Sequence, residues 1–171
     1  MNFLFIAQAL YFFLPAYAAN MMPVIGRNWL PTLNAPVSKE LFGAHKTWQG
    51  LILGTAGGIL TAGIQHFLVP FLPWLSVAPY DRWFELGLLL GIGAVLGDLI
   101  KSYFKRIVGI YPGMSWMPFD QLDFVFGGLL LCSALYFPGW FSAGIIVLLS
   151  FFLHIAVNHL GYYLGLRRSP W

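Results

Sequence analysis

The sequence has little charge. Only 9% of its 171 residues are Asp, Glu, Lys or Arg, against roughly a quarter in soluble domains, so it lacks the polar surface that a soluble fold needs. It has a single cysteine, Cys132, which excludes a disulfide within the chain and which we expect to be buried in an apolar segment. Hydrophobic residues make up 59% of the chain and include sixteen phenylalanines and seven tryptophans. These proportions indicate an integral membrane protein.

Long apolar runs define the predicted fold. They occupy residues 3–22, 51–72, 84–100, 122–138 and 140–160, and several reach the roughly 20 residues that a helix needs to cross a bilayer. We therefore predict an all-α, polytopic membrane helical bundle of about five transmembrane helices, forming one domain over residues 1–171. Glycines recur at four-residue spacing in the second and third segments, which predicts close helix packing within one subunit and leaves the oligomeric state open.

Cations are distributed unevenly among the loops. With five crossings, eight of the nine Lys and Arg residues fall in the first loop, the third loop and the C-terminal tail, and Arg82 alone falls on the other side. The positive-inside rule then predicts an external N-terminus and a cytoplasmic C-terminus. The first segment ends in Ala16-Tyr17-Ala18, which is similar to a signal-peptidase site. No Lys or Arg precedes its apolar run, however, so we favour a retained helix.

Three carboxylates lie where the third apolar segment ends and the fourth begins. A charged group at membrane depth costs about 2.5–3.5 kcal/mol on insertion scales, so such groups usually face a partner or a cavity. If the third helix continues, Lys101, Ser102 and Lys105 share the face of Asp98. Asp120 and Asp123 are three residues apart at the start of the fourth segment. We predict that Asp98, Asp120 and Asp123 hold a divalent metal ion beside cations that bind phosphate. The alternative is that these residues are helix caps and boundary charges.

Two further patterns concern the same end of the bundle. In the first loop, "LFGAHKTWQG" places Lys46 and Thr47 before a helix start, where backbone donors, an ammonium and a hydroxyl can converge on an anion. The pattern lacks the spacing of a Walker loop, and we expect His45 to be a simple loop residue. In the fifth segment His154 and Asn158 are an i, i+4 pair, which predicts hydrogen bonds between helices or, alternatively, a cavity lining.

Several motifs together resemble a known family. "GDLIKSYFKR" is similar to the G-D-L-x-x-S-x-x-K-R core of membrane CTP-dependent cytidylyltransferases, and "DQLDF" resembles the D-x-x-D segment that follows it there. "PAYAANMMPV", "GAHKTWQG" and "HIAVNHLGYYLGLRRSPW" resemble the CDP-archaeol synthase branch. Departures occur at Gln49 and Ile107, where that branch often has Arg, so the lipid chain type stays open, with a bacterial or divergent member acting on another isoprenoid or acyl glycerol phosphate as an alternative.

The resemblance implies a reaction in which CTP and a lipid phosphate give a CDP-activated lipid and pyrophosphate, with Mg²⁺, at the cytoplasmic membrane face. It implies that the lipid phosphate is the nucleophile. The roles it implies are catalytic for Asp98, Lys105, Asp120 and Asp123, metal-binding for Asp98, Asp120 and Asp123, and nucleotide- or phosphate-binding for Lys46, Thr47, Ser102, Lys105 and Arg106. The expected partners are CTP, the lipid phosphate and membrane lipids, and no nucleic acid.

The sequence leaves two other functions open. A small transporter or proton-coupled carrier would use the intramembrane carboxylates as a relay, although the five segments show no inverted repeat. A non-catalytic assembly factor is suggested only by the glycine-rich faces. Turnover of CTP distinguishes an enzyme from both.

Overall fold

Five helices form the structure, a computed structural model that describes residues 3–111 and 114–165. They are α1 (Phe3–Ile25), α2 (Trp48–Leu68), α3 (Trp83–Ile107), α4 (Phe119–Cys132) and α5 (Trp140–Tyr163). Short 3₁₀ turns at Pro31–Leu33, Pro73–Leu75 and Tyr80–Arg82 lie in the connecting segments. This all-helical architecture confirms the fold class predicted from the apolar runs. Arg167 and Arg168, which entered the charge count of the tail, lie outside the described residues.

Among the residues that the structure describes, four helical segments are long and apolar enough to cross a membrane: Phe3–Ile25, Trp48–Leu68, Tyr80–Ile107 and Trp140–Tyr163. Helix α4 has only 14 residues, about 21 Å at about 1.5 Å per residue, which is less than the roughly 30 Å of a bilayer core. The apolar segment predicted over residues 122–138 is helical only as far as Cys132. Turn hydrogen bonds from Leu135 and Tyr136 to the Cys132 carbonyl end the helix, and Gly139, with φ of +84°, begins the next one.

The helices alternate in direction. The rings of Phe5 and Phe141 lie 5.3 Å apart near the starts of α1 and α5, and Tyr17 and Ser150 share a hydrogen bond of 2.6 Å farther along both helices. Helices α1 and α5 are thus parallel to one another. The end of α1, the start of α2, the end of α3 and the start of α4 consequently meet at one end of the bundle.

Glycines allow α3 to lie directly against α2 and α4. A Cβ placed on Gly58 of α2 would lie 2.8 Å from the Gly91 Cα, and one on Gly93 would lie 2.8 Å from the Gly128 Cα of α4. Backbones this close exclude any larger side chain, which is how small residues promote helix association in lipid. The predicted packing role of the glycine spacing within one subunit is confirmed.

Apolar side chains divide into a core and an outer surface. Phe12, Phe13, Leu86 and Leu90 are fully buried between the helices, and Cys132 is buried with them, as predicted. Other large apolar side chains point outward from the bundle, among them Leu60, Phe67, Leu130, Trp140 and Phe141. An outer surface of this kind suits contact with lipid chains, so the polar cavity described next lies within an otherwise apolar bundle.

Candidate active site

A polar cavity of about 450 Å³ opens at the end of the bundle where α1 ends and α2 begins. Its wall includes Asn20 of α1, His45 and Thr47 before α2, the final turns of α3, the first turn of α4, and His154 with Asn158 of α5. Residues from α1 to α5, far apart in the sequence, therefore face one volume. The position of His154 and Asn158 agrees with the cavity-lining alternative raised from the sequence.

The ammonium group of Lys101 lies at the centre of the charged residues in this cavity. Its Nζ lies 2.7 Å from Asp120 Oδ1, 2.9 Å from Asp123 Oδ2 and 3.2 Å from Asp98 Oδ1. The side chains of Lys101 and Asp123 are only 13% and 5% exposed. Helix α3 supplies Lys101 and Asp98, and α4 supplies the other two, so the cluster depends on the close approach of these helices. The three predicted aspartates do come together, around Lys101, which the sequence placed on the face of Asp98 but which received no predicted site role.

Two further lysines complete the cluster. Lys46 forms an ion pair with Asp98, and Lys105 Nζ lies 3.1 Å from each carboxylate oxygen of Asp120. Three ammonium groups thus pair with three carboxylates at buried or part-buried positions, where an unpaired charge would be costly.

Local backbone structure fixes the outer lysines. The loop before α2 folds back on itself, with Val37 N donating to the Lys46 carbonyl at 2.8 Å and Trp48 N donating to Ala35 O at 3.1 Å. On the other side, Lys105 donates to the Met114 carbonyl. These contacts hold both ammonium groups at the cavity wall, because each one is fixed by a loop as well as by a carboxylate.

The remaining predicted phosphate ligands also line the cavity, but their hydrogen bonds differ. Thr47 caps α2, with its Oγ1 accepting from Gly50 N at 3.2 Å, which leaves the hydroxyl proton available to a ligand. The Ser102 hydroxyl donates to the Asp98 carbonyl at 2.8 Å, so its proton is engaged within α3. Arg106 Nε is buried and has no hydrogen-bond partner among the described residues. Arg106 and Thr47 are thus the more available anion donors of the three.

The carboxylates suit a hard divalent cation. Within residues 3–111 and 114–165, no three His, Cys, Asp or Glu side chains are arranged around a metal position. Oxygens of Asp98, Asp120 and Asp123 instead surround the Lys101 ammonium, at 2.7–3.2 Å. Three oxygens that converge on one positive group are of the ligand type that Mg²⁺ and similar ions take. The donor set therefore fits a divalent ion.

The cavity also includes polar residues that the sequence did not single out as site residues. Apart from Lys101 they include Asn20 and Gln121. Gln121 is 3% exposed, and its Oε1 atom has no hydrogen-bond partner in the described part of the chain. The position of Gln121 between two predicted aspartates in "DQLD" could have identified it from the sequence. A buried amide carbonyl on a cavity wall offers an acceptor to a ligand.

A smaller, mostly apolar crevice of about 80 Å³ adjoins the charged cavity. It lies between α1, α4 and α5, and Tyr17, Phe124, Leu153 and Val157 contribute to its wall. Asn20, His154 and Asn158 line both spaces. The polar site is therefore contiguous with a mostly apolar crevice between the helices.

Comparisons with known proteins agree with this architecture. The sequence matches the family described as CarS-like, CDP-archaeol synthase, over residues 2–171. A CDP-archaeol synthase of Archaeoglobus fulgidus is 35% identical, with 97% of this chain and 98% of that protein aligned. One of Methanospirillum hungatei is 37% identical, with 92% and 99% aligned. A solved structure, described as an intramembrane enzyme for archaeal membrane lipids biosynthesis, is 30% identical and superposes with a TM-score of 0.69, covering 88% of this chain and 92% of that one.

Proposed function

The chain belongs to the CDP-archaeol synthase family, and we propose that it transfers a cytidylyl group from CTP to a lipid phosphate. The products are a CDP-activated lipid and pyrophosphate. The observation that carries this proposal is the charged cluster of α3 and α4, which faces a cavity at one end of the bundle. Membership of an enzyme family also removes the carrier and assembly-factor hypotheses from further consideration.

The proposed lipid substrate is an archaeol-type isoprenoid glycerol phosphate or a related glycerol phosphate lipid. The apolar crevice supports it, because a chain held between α1, α4 and α5 would bring its phosphate to the residues shared with the charged cavity, Asn20, His154 and Asn158. The lipid could then enter from the bilayer without leaving an apolar environment.

In the proposed reaction an oxygen of the lipid phosphate attacks the α-phosphorus of CTP, the bond to the β-phosphate breaks, and pyrophosphate leaves with the electron pair. The lipid supplies the nucleophile, so the chain's residues bind and orient the reactants. Lys46, Lys105 and Arg106 would contact the phosphates, with Thr47 as a hydroxyl donor, and Ser102 remains a predicted ligand. Positioning and stabilisation of negative charge are the main contributions a protein makes to phosphoryl-type transfer.

A divalent metal ion, Mg²⁺ in our proposal, would be held by Asp98, Asp120 and Asp123. When bound, it would offset charge on the phosphate oxygens and favour departure of pyrophosphate. In this proposal the carboxylates would serve as metal ligands, and they also pair with the neighbouring lysines.

The proposed location is the cell membrane, with the cavity facing the cytoplasm. At the cavity end lie the loop with Arg27, Lys39 and Lys46 and the end of α3 with its three cations, whereas Arg82 lies at the opposite end. This asymmetry supports an external N-terminus and a cytoplasmic active site. CTP would then reach the cavity from the compartment that contains it.

The decisive experiment is an assay of the full chain in detergent or liposomes with labelled CTP, Mg²⁺ and a panel of lipid phosphates. We expect pyrophosphate and a labelled lipid to form together, with a preference for isoprenoid glycerol phosphates over acyl ones. Pyrophosphate release that is independent of the lipid phosphate, or the lack of labelled lipid with every member of the panel, would refute the proposed reaction.

A further inference from the structure

The position of Lys101 suggests a role beyond binding phosphate. Its ammonium lies 2.7–3.2 Å from oxygens of all three carboxylates of the cluster. It is also the one lysine of the described cluster that contacts all three aspartates, since Lys46 pairs with Asp98 and Lys105 with Asp120. Its ammonium therefore lies where the proposed metal ion would have to bind.

From this geometry we infer that Lys101 is an internal counter-ion that holds the metal position until the nucleotide arrives. While the cavity is unloaded, its ammonium keeps the carboxylates paired and opposes binding of a free divalent ion. When the metal ion arrives with the polyphosphate, the flexible lysine side chain turns out of the carboxylates and pairs with the phosphates in the same cavity. This inference rests on the proposed function, and it assigns Lys101 a positioning role in ordered loading.

Charge balance supports this exchange. The carboxylates of Asp98, Asp120 and Asp123 match the ammonium groups of Lys46, Lys101 and Lys105, so a free divalent cation would add two positive charges to a neutral group. A metal ion accompanied by a polyphosphate brings its own negative charge. Loading both together keeps the cavity close to neutral, whereas loading the metal alone does not.

The test measures metal binding by the full chain in detergent without CTP or lipid, using Mn²⁺ and the loss of its free electron paramagnetic resonance signal. We expect Lys101→Met to bind Mn²⁺ about tenfold or more tightly than wild type, because a positive charge at the metal position has been removed. Lys101→Arg should stay close to wild type. Lys39→Met, which removes an exposed lysine of the first loop, is the charge-matched control and should not tighten binding.

The first variant of a second arm keeps Lys101 in place, so its result does not depend on the folding of Lys101→Met. If the lysine occupies the metal position, Asp123→Asn in the wild-type background should change the affinity for Mn²⁺ alone by no more than about twofold. The same substitution combined with Lys101→Met should abolish the gain. The inference is overturned if Lys101→Met binds Mn²⁺ no more tightly than wild type, or if Asp123→Asn alone weakens binding strongly. Because neither arm contains CTP or lipid, the result is separate from success or failure of the turnover assay.

Discussion

Replacing Asp123 by Asn probes the charged cluster with almost no change in side-chain volume. Asp123 is 5% exposed and its Oδ2 lies 2.9 Å from the Lys101 ammonium. The substitution removes one carboxylate from the proposed metal set, so we expect turnover to fall by about 100-fold or more, comparable to losing one group that stabilises developing charge. The Mg²⁺ concentration needed for half-maximal activity should also rise, since one charged ligand is lost.

The loss of stability should be limited, because only one of the three carboxylate contacts of the Lys101 ammonium changes. After Asp123→Asn, Lys101 keeps Asp120 at 2.7 Å and Asp98 at 3.2 Å, so its charge remains paired. The loss is then at most that of one hydrogen bond to a charged group, about 1.5–3 kcal/mol. Thermal unfolding in detergent, followed by tryptophan fluorescence, measures this loss of unfolding free energy.

The assay is CTP-dependent pyrophosphate release at a series of Mg²⁺ concentrations. The matched control is Asp81→Asn, which makes the same chemical change at an exposed position at the opposite end of the bundle. We expect this control to behave as wild type. Wild-type turnover with unchanged Mg²⁺ dependence in Asp123→Asn would refute the proposed metal role.

Three other predictions follow from separate contacts. Lys46→Ala removes an ammonium from the cavity wall and should raise KM for CTP or lipid phosphate about tenfold or more, with a smaller effect on kcat, in steady-state assays. Gly97→Ala would place a Cβ 2.8 Å from the Asp123 carbonyl carbon and should cost about 1–3 kcal/mol in thermal unfolding, whereas Gly144→Ala, with nothing within 4 Å of the new Cβ, should cost nothing. Tyr17→Phe removes the 2.6 Å bond to Ser150 and should cost about 1 kcal/mol in the same measurement.

Each of these predictions has a control or an outcome that would contradict it. For the lysine substitution, Lys39→Ala removes an exposed cation of the same loop, and equal effects of the two would argue against a specific phosphate contact. For the glycines, equal melting temperatures would contradict the close approach of α3 and α4. For the tyrosine, Tyr163→Phe at a 79% exposed position should leave stability unchanged, and an equal loss there would mean that the bond between α1 and α5 contributes nothing.

The extent of the helices was only partly predictable. Hydropathy located all five, because each had to be apolar to face lipid. The predicted end of the third segment at residue 100 was too early, since α3 continues to Ile107. Polar residues lower the hydropathy of this last stretch, but their side chains face the cavity, so the helix continues. The predicted fourth segment ended too late, at residue 138. Residues 133–138 are mostly apolar, so hydropathy included them, but they are not helical.

The sequence by itself determined that the chain is a membrane helix bundle, that its cations concentrate in certain loops, and that Asp98, Asp120 and Asp123 are its candidate ligands. Composition and spacing along the chain contain that information. Only the tertiary structure decided that Lys101 joins the three carboxylates, because that contact depends on the rotation and separation of α3 and α4. Those are set by glycine backbones in direct contact, such as Gly93 against Gly128, and no pattern within one segment specifies how two segments face each other.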